Sequence, residues 1–566
     1  MPKITVQGIG DVNLTDKDFI TSGGEGMIYG RGDTIYKLYI EPKNMIPPGK
    51  IKELSVLTNP SILKPKNLIS DKTGNVIGFT MDWVKNNVPT VKLFTNDFRN
   101  RFSIDLEKTK KFILNSYRVL QHLHDHRCLM VDVNEFNILA DLTTFENPYF
   151  IDVNSYQTPN YPATAIMMSI KDFHSKAFSE LTDWFSFGVI TFQLFVGIHP
   201  FKGTHPDFKR GDIENRMKNN VSVFNSNVKM PAAIRPIDDI PATYKEWYIN
   251  LFEKGLRSAP PLTMDAKIIV NIASAVKSGD KIMITLVKKF EDVSISKFYN
   301  IGITPITVNK TKSEYVAYVK NRKYTLTKNY PNVILTPTSL TPVCAEINND
   351  VLLLTNLKTN EILYSATAQQ MYLDEGILYY INNDRLIEVL IYEQSSKIII
   401  TSQSSWNVLP NASTVWDGAV SMNVLGKFYL VIPYRFPGKP TSCFMKEIPE
   451  ITGLKILEIK RRKNMCIVIT HNNNTYNRNI LRFNKDFTEY EHSIVSDIDY
   501  VGSPNFIVLD NGNMVYVTEE NSIEVSNKQS TIAFADKLPT NAKLWTDGGT
   551  VYFSNDNELY SITVKK

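Results

Sequence analysis

The character of the sequence changes near Ser278, and this change constrains the fold more than any other feature. Before it, short strand patterns alternate with helical patterns in which apolar residues recur every three or four positions. After it, short runs of β-branched and aromatic residues are separated by turns rich in Asn, Asp and Gly. We therefore predict a multidomain chain with an α+β first half and an all-β second half. Its 566 residues are enough for roughly two to four domains.

Strand starts recur along the β-rich half at irregular steps of 26 to 51 residues. Successive strand starts lie on average about 39 residues apart, which is close to the length of one propeller blade. We therefore predict that residues 278–566 form a β-propeller of roughly five to seven blades, with stacked β-sandwiches as the alternative. The strand starts are Tyr315, Val351, Ile377, Phe428, Met465, Met514 and Val551.

Composition rules out wholesale disorder and gives little sign of a charged partner. Hydrophobic residues make up 43% of the chain, which is enough apolar surface to form cores. The 63 basic and 58 acidic residues leave a net charge of only +5, so nucleic acid is not expected as a partner. The apolar stretch over residues 184–201 contains Ser186, Gln193 and His199. We interpret it as a buried helix and expect no membrane partner.

Cysteine usage and the first residues of the chain bear on its location. The cysteines are far apart and form no metal-ligand cluster, which is typical of free thiols in a reducing compartment. They are Cys128, Cys344, Cys443 and Cys466. The first residues lack the basic and apolar pattern of a signal peptide. We therefore expect a cytoplasmic protein.

A glycine-rich segment near the start of the chain is the first sign of chemistry. Gly23, Gly24 and Gly26 precede a tight turn and a strand pattern that contains Lys37. Glycines allow backbone N–H groups to approach phosphate oxygens closely, and a lysine on the next strand can hold two phosphates. This pattern predicts a phosphate-binding hairpin, although tight hairpins without a ligand also need glycine.

Two acids and an amide form the second sign. Asp132 is followed by Asn137, and Asp152 lies further along. The apolar stretches 138–140 and 149–151 are typical of a hairpin, which would bring Asn137 beside Asp152. Phosphoryl transfer needs oxygen ligands for Mg²⁺ and a separate carboxylate that orients the attacking hydroxyl. Asp132, Asn137 and Asp152 supply these groups.

In this order the motifs resemble those of the eukaryotic-like protein kinase family, most closely a divergent bacterial and phage branch. Residues 183–188, Asp-Trp-Phe-Ser-Phe-Gly, resemble the family's D-x-W-S-x-G segment, which opens the buried central helix of the large lobe. Residues 197–201 match the usual exit from that helix. The resemblance covers about the first half of the chain and implies a two-lobed kinase-like fold. Its small lobe would span residues 1–85 and its large lobe residues 86–277.

The resemblance implies a role for each residue around a bound ATP and Mg²⁺. Three glycines would cover the phosphates, a lysine would bind them, and a glutamate on a helix over residues 50–57 would pair with that lysine: Gly23, Gly24, Gly26, Lys37 and Glu53. The adenine pocket would be guarded by Met81, with a hinge formed by Asp82, Trp83 and Val84. Asp132 would orient the substrate hydroxyl, Asn137 and Asp152 would hold Mg²⁺, and Asp183 would brace the loop backbone.

Several positions depart from the family pattern. Thr21 stands where the first loop glycine is expected, Val131 replaces an arginine, and Asn134 replaces a lysine. Without that arginine, a phosphate on the segment after Asp152 would lack its usual anchor, so we expect a constitutively competent domain. Val153 follows Asp152 where the family has phenylalanine, and no A-P-E tripeptide follows, so substrate docking is expected to be unusual.

Three functions fit these features. The first is an ATP- and Mg²⁺-dependent protein kinase, expected to be serine/threonine-specific, whose β-rich half recruits a protein substrate or scaffold. The second is a catalytically inactive pseudokinase that serves as an interaction platform, for example within a phage particle; the location would then be the host cytoplasm or the virion. The third is a small-molecule phosphotransferase, against which the Asp183-Trp184 pair speaks.

Overall fold

The computed structural model describes residues 3–564 except for 23–25, 164, 263, 265–281, 292, 302–303, 320–321, 327–329, 396, 437–439, 473–474, 528–529 and 548. The domain boundary expected between residues 277 and 278 therefore lies outside the described residues. The chain divides into two compact units. The first unit comprises Met1–Ile272, His471–Asn477 and Val495–Ser503, and the second comprises Ala273–Thr470, Arg478–Ile494 and Pro504–Lys566.

An antiparallel seven-stranded sheet begins the first unit. Its spatial order is β2-β1-β6-β7-β5-β4-β3. The strands are β1 (Lys3–Val6), β2 (Gly10–Asn13), β3 (Phe19–Ser22), β4 (Gly26–Arg31), β5 (Thr34–Tyr39), β6 (Leu68–Ser70) and β7 (Val76–Asp82). Strand β5 lies between β4 and β7, and its apolar residues are buried, as expected for an interior strand. This position places Lys37 opposite Ile28 on one side and Phe79 on the other.

Helices dominate the rest of the first unit. They are α1 (Pro48–Leu54), α2 (Asn96–Phe102), α3 (Leu106–Asp125), α4 (Glu180–Val196), α5 (Ile213–Lys218) and α6 (Ala242–Phe252). Asp105 caps the start of helix α3, because its carboxylate accepts a hydrogen bond from the backbone N–H of Lys108 at 2.8 Å. Helix α6 is followed by Gly255 in the left-handed conformation, with φ of +66°. Both helices agree with the helical patterns expected in the first half.

Helix α4 is buried on every side from Thr182 to Val196. It ends at Gly197, whose φ is +91° and where a Cβ would lie 2.9 Å from the carbonyl oxygen of Phe94. The apolar stretch is therefore a central helix of the first unit, as predicted. Among the helices of the described residues, none has the length and apolar character needed to cross a membrane.

A second, three-stranded sheet carries the expected hairpin. Its spatial order is β10-β9-β8, formed by β8 (Asn87–Pro89), β9 (Ile138–Asp141) and β10 (Pro148–Phe150). Tyr149 pairs with Leu139 in antiparallel register. The predicted hairpin between residues 138–140 and 149–151 is thus confirmed.

The β-rich half forms seven four-stranded sheets within the described residues. In spatial order they are β12 (Ser294–Ile301), β13 (Thr304–Lys310), β14 (Tyr315–Val319), β15 (Arg322–Thr325); β16 (Asn332–Leu335), β17 (Pro342–Asn348), β18 (Val351–Asn356), β19 (Ile362–Thr367); β20 (Gln370–Asp374), β21 (Ile377–Asn382), β22 (Arg385–Gln394), β23 (Lys397–Asn407); β24 (Ser413–Val415), β25 (Val420–Val424), β26 (Lys427–Tyr434), β27 (Ser442–Glu447); β28 (Lys455–Arg462), β29 (Met465–Asn472), β30 (Thr475–Phe483), β31 (Tyr490–Val495); β32 (Phe506–Val508), β33 (Met514–Val517), β34 (Ser522–Ser526), β35 (Thr531–Lys537); and β11 (Ile282–Lys289), β38 (Glu558–Val564), β37 (Thr550–Asn555), β36 (Lys543–Asp547).

Six of these sheets are built from strands that are consecutive in the sequence, and the seventh joins β11 to the last three strands. The seven predicted strand starts fall one in each sheet. Apolar side chains of successive sheets share core clusters; Leu352 and Leu354, for example, pack with Leu378 and Tyr380. The prediction of an all-β second half with a repeated unit is confirmed.

Candidate active site

The loop that begins at Asp132 holds its carboxylate with three hydrogen bonds. The side-chain amides of Asn134 and Asn137 donate to Oδ2 at 2.8 Å and 3.1 Å. The backbone N–H of Met167 donates to Oδ1 at 2.8 Å. Asn134 Oδ1 also accepts from the backbone N–H groups of Phe136 and Asn137, at 2.8 Å and 3.1 Å. Asn134, the replacement for the family's lysine, therefore fixes both the carboxylate and the loop.

The backbone just before Asp132 is strained, and a buried carboxylate supports it. Val131 has φ of +63°, a left-handed conformation that is uncommon for a β-branched residue and costs roughly 1–2 kcal/mol. Asp183 accepts hydrogen bonds from the backbone N–H groups of Met130 and Val131, both at 2.9 Å. His124 Nε2 lies 3.0 Å from the same carboxylate. Asp183 thus braces the loop backbone, as expected.

The hairpin of β9 and β10 brings Asn137 beside Asp152. The backbone N–H of Ile151 donates to the carbonyl oxygen of Asn137 at 3.0 Å. The Asp152 side chain is 39% exposed, and its Oδ1 lies 3.9 Å from Nζ of the largely buried Lys37. Lys37 therefore lies beside Asp152, and the residue before Asp152 is bonded to the loop of Asn137.

Gly26 is the glycine of the expected phosphate loop that the structure describes. It begins β4, and a Cβ at this position would lie 2.4 Å from the carbonyl oxygen of Leu38. Because that backbone cannot move without breaking the sheet, only glycine fits here. Gly23 and Gly24 lie outside the described residues, so their contact with phosphate stays a prediction.

The residues expected to form the hinge lie at the end of β7. Met81 belongs to that strand, and the exposed Asp82 forms an ion pair with Lys66 at 2.6 Å. The backbone N–H of Trp83 donates to the carbonyl oxygen of Asp33 at 2.9 Å, so this donor is used within the protein. Val84 follows and is partly buried. Contacts of these residues with adenine stay a prediction.

Glu53 contacts the segment that follows Asp152. Its carboxylate accepts hydrogen bonds from the side-chain and backbone N–H groups of Asn160, at 2.6 Å and 3.3 Å. Lys37 forms an ion pair with Asp152. Helix α1 buries Lys50, Ile51 and Leu54, and Glu53 lies to one side of that buried face. The expected pair between Glu53 and Lys37 stays a prediction.

Lys50 is the charged residue that α1 turns inward, and no sequence motif indicated it. Only 2% of the residue is exposed, and its Nζ donates to the carbonyl oxygen of Pro162 at 3.4 Å. Burial lowers the pKa of Lys50, and the charge of Asp152 opposes this effect. The lysine therefore adds positive charge near the site without a carboxylate of its own.

Tyr156 is a second residue that the sequence did not single out. It is 1% exposed, and its hydroxyl donates to the carbonyl oxygen of Ile151 at 3.4 Å. Burial, and after it the charges of Asp152, Asp183 and Asp132, raise the pKa of Tyr156 well above its usual value. The phenol therefore stays protonated.

The segment between Asp152 and Asp183 ends in buried polar anchors. Asp172, 5% exposed, receives two hydrogen bonds from Arg257, both at 2.7 Å. Burial alone would raise the pKa of Asp172, but the Arg257 guanidinium outweighs it and holds the pKa below its usual value. Ser186 supports the same stretch by donating to a carbonyl oxygen at residue 170 at 2.7 Å. No tripeptide motif marks this anchor in the sequence.

The arrangement suits a divalent cation with oxygen ligands. Asp152 presents a partly exposed carboxylate. Asn137 donates its amide N–H to Asp132, and this bond does not use its amide oxygen, which is the atom that could bind a cation. Hard cations such as Mg²⁺ prefer this donor set and bind through one or two carboxylates together with phosphate oxygens. Lys37 lies close enough to place a positive charge on the same phosphates.

Comparison with known proteins adds little to this geometry. No family model matches the chain. The solved structure of the Cydia pomonella granulovirus kinase PK-1 aligns with 42% of this chain and 88% of its own, at 15% sequence identity and a TM-score of 0.31. A similarity at this level does not assign a function, which must rest on the residues themselves.

Proposed function

We propose that the first unit is a protein kinase that binds ATP with Mg²⁺ and transfers the γ-phosphate to a protein hydroxyl. One observation carries the proposal: three separate stretches of chain, which carry Lys37, Asp152 and the loop from Asp132 to Asn137, come close together. Lys37 Nζ is 3.9 Å from Asp152, and Asn137 Nδ2 is 3.1 Å from the Asp132 carboxylate. Phosphoryl transfer depends on positioning and charge more than on covalent chemistry, and this group supplies both.

Each residue has a distinct task in this proposal. Asn137 and Asp152 would hold Mg²⁺, which neutralises charge on the phosphates when bound. Lys37 would bind the phosphates, with Gly23, Gly24 and Gly26 covering them. Asp132 would accept a hydrogen bond from the acceptor hydroxyl, in the orientation that Asn134 and Asn137 set.

The adenine ring would lie against Met81 and the backbone of Asp82 to Val84. Glu53 has no place in phosphate binding here, since its carboxylate is engaged by Asn160. The inward lysine of α1, Lys50, instead adds positive charge on the Asp152 side. A serine or threonine hydroxyl is the acceptor that we propose.

For the second unit we propose a β-propeller that recruits the protein substrate or a scaffold. Its support is topological: six four-stranded sheets follow one another along the sequence, and the seventh pairs β11 with β38, as the closure of a ring of blades requires. Propellers expose loops at both faces and commonly serve as interaction platforms.

One contact favours a second function, a non-catalytic nucleotide-dependent platform. The backbone N–H of Met167 already occupies Asp132 Oδ1 at 2.8 Å. An acceptor hydroxyl must compete with this N–H or use the remaining lone pairs of the carboxylate. If the bond from Met167 to Asp132 never opened, the protein would bind nucleotide without transferring its phosphate.

Incubation of the full chain with labelled ATP and Mg²⁺, alone and with generic protein acceptors, tests the proposal. We expect label transfer by the wild type, a fall of at least about a thousandfold in Asp132→Ala and Asp152→Ala, and no change in the exposed control Asp207→Ala. Calorimetric titration with a non-hydrolysable ATP analogue should show binding by the wild type and Asp132→Ala. Binding without any transfer would favour the platform, and absence of binding would exclude both functions.

A further inference from the structure

Two short segments late in the sequence belong to the first unit, and one of them reaches the Asp132 loop. They are His471–Asn477 and Val495–Ser503. The hydroxyl of Tyr476 donates to Glu135 Oε1 at 2.6 Å. Glu135 lies between Asp132 and Asn137 in the sequence and is 3% exposed, and Tyr476 is 8% exposed. A buried hydrogen bond therefore ties a distant tyrosine to the loop that carries the proposed chemistry.

The direction of this bond does not change with pH in the neutral range. Burial, and after it the charge of Glu135, raise the pKa of Tyr476 well above its usual value. The phenol therefore stays protonated and donates. A buried carboxylate needs such a donor, because an uncompensated charge in the interior is strongly destabilising.

The residue after Glu135 is held by the same segment. The ring of Phe136 lies 4.8 Å from that of His471, which in turn lies 5.1 Å from the ring of Tyr476. On the other side, the carbonyl oxygen of Glu135 accepts a hydrogen bond from the backbone N–H of Val91 at 3.2 Å. The middle of the loop is thus fixed from two directions, while its ends present Asp132 and Asn137.

The two late segments fix the position of the phenol in turn. The carbonyl oxygen of Tyr476 accepts from the backbone N–H of Ile498 at 2.8 Å. Lys202, 6% exposed, donates to the carbonyl oxygen of Ile498 at 2.9 Å and lies 3.4 Å from the Asp499 carboxylate. Its Nζ also stands over the Tyr476 ring, 5.3 Å from the centroid. Tyr476 therefore acts as a rigid support.

We propose that Tyr476 is a positioning residue for phosphoryl transfer, which acts through Glu135 on the placement of Asp132 and Asn137. This inference rests on the proposed kinase function. A displacement of about 1 Å in a group that orients a reactant can reduce the rate a hundredfold, so support of this loop affects turnover directly. Because Lys37 and the glycine loop would hold most of the phosphate group, nucleotide affinity should depend on Tyr476 much less than the transfer rate does.

Full-length Tyr476→Phe tests the proposal, since it removes one hydroxyl and keeps the ring. We expect kcat to fall at least about tenfold while KM for ATP stays within about twofold. Glu135→Leu should reduce kcat by a similar factor. Glu135→Gln should retain most of the rate, because it keeps an oxygen acceptor. The double variant Tyr476→Phe/Glu135→Leu should be no slower than either single variant. The matched control is Tyr490→Phe, whose hydroxyl donates to Glu450 at 2.8 Å in the second unit.

Hydrogen exchange separates this inference from the kinase function itself. In Tyr476→Phe, the amides of residues 131–137 should exchange faster than in the wild type. In Tyr490→Phe, the same amides should exchange at the wild-type rate. If the wild type transfers no phosphate, the kinase function fails, and faster exchange in these amides still supports the positioning role. Unchanged exchange, or a kcat within twofold of wild type in an active protein, overturns it.

Discussion

The two halves of the segment over residues 152–183 are held in different ways. The first half meets α1 through one exposed contact, in which Asn160 donates to the Glu53 carboxylate at 2.6 Å. It also accepts a bond from the buried Lys50, which donates to the carbonyl oxygen of Pro162 at 3.4 Å. The second half is held by buried groups. Arg257 binds Asp172 with two hydrogen bonds, and further donors reach the carbonyl oxygens just before it.

The difference shows which contacts of the segment can break at low cost. Exposed polar contacts contribute about 0–1 kcal/mol, whereas removal of one partner from a buried ion pair costs about 3–5 kcal/mol. The contact of Asn160 with Glu53 should therefore break more easily than the ion pair of Asp172 with Arg257.

The largest test of this difference is Arg257→Met. Loss of the guanidinium leaves the Asp172 carboxylate buried without its main partner, so the free energy of unfolding of the first unit should fall by about 3–5 kcal/mol. Differential scanning calorimetry should show a drop of roughly 6–20 °C in its melting temperature. Lys218→Met, which removes an exposed pair with Glu214, should lower it by about 2 °C or less. Equal effects of the two substitutions would show that burial does not set the cost of losing an ion pair in this unit.

The second test is the pH dependence of the same transition. His199 Nε2 donates to the carbonyl oxygen of Ser169 at 2.7 Å, and burial, with nearby Lys202 and Arg216, lowers its pKa from 6.5 to about 3. Below pH 6.5, His199 is therefore protonated in the unfolded chain, whereas in the folded protein it stays neutral down to about pH 3. Stability is complete above pH 6.5 and decreases as the pH falls, by about 2 kcal/mol at pH 5.

Calorimetry at pH 7 and pH 5 measures this loss, which corresponds to roughly 4–8 °C. Proton uptake on unfolding, measured at pH 5.5 in buffers of different ionisation enthalpy, should include about one proton from this group. The fall in melting temperature between pH 7 and pH 5 should be smaller in His199→Gln than in the wild type. A wild-type transition independent of pH between 7 and 5 would show that the second half is not held by a neutral buried imidazole.

The third test is Ser186→Ala. The hydroxyl donates to the carbonyl oxygen of Ile170 at 2.7 Å and is buried, so its removal should cost about 1–2 kcal/mol. The matched control is Ser55→Ala, which removes a bond of equal length to the carbonyl oxygen of Lys52 at the exposed end of α1. It should cost only a few tenths of a kcal/mol. Urea unfolding of both variants decides whether burial or the bond alone sets the cost.

The smallest effect is expected for Glu53→Gln. The amide keeps an oxygen acceptor for Asn160, so stability should change by less than about 0.5 kcal/mol and phosphoryl transfer by less than about twofold. Lys37→Met, measured alongside, should abolish transfer. A hundredfold loss in Glu53→Gln would mean that Glu53 leaves Asn160 and pairs with Lys37 during turnover.

The sequence allowed prediction of the hairpin because short-range geometry determines it. Asn137 and Asp152 flank this hairpin, whose register follows from two apolar stretches and a short turn. The brace by Asp183 was expected from the resemblance to the kinase family. Spacing alone would not predict it, since Asp183 lies 53 residues from Met130.

The remaining parts depend on packing between distant elements. The orientation of a seven-residue helix decides which of its side chains turn inward, and no motif indicated that Lys50 does. Asp172 and Arg257 meet across 85 residues without any motif. In the β-rich half, the strand starts predicted five to seven blades, whereas the pairing of β11 with β38 joins distant strands and is not encoded by local patterns.

The pairing of β11 with β38 has a consequence for how the polypeptide is made. Lys289 and Glu558, which face each other across these strands, are 269 residues apart. During translation, the edge of β11 stays unpaired until β38 has been synthesised. Such late closure slows folding and exposes a template for aggregation. Pauses in synthesis shortly before β38 should therefore be far more harmful than earlier pauses.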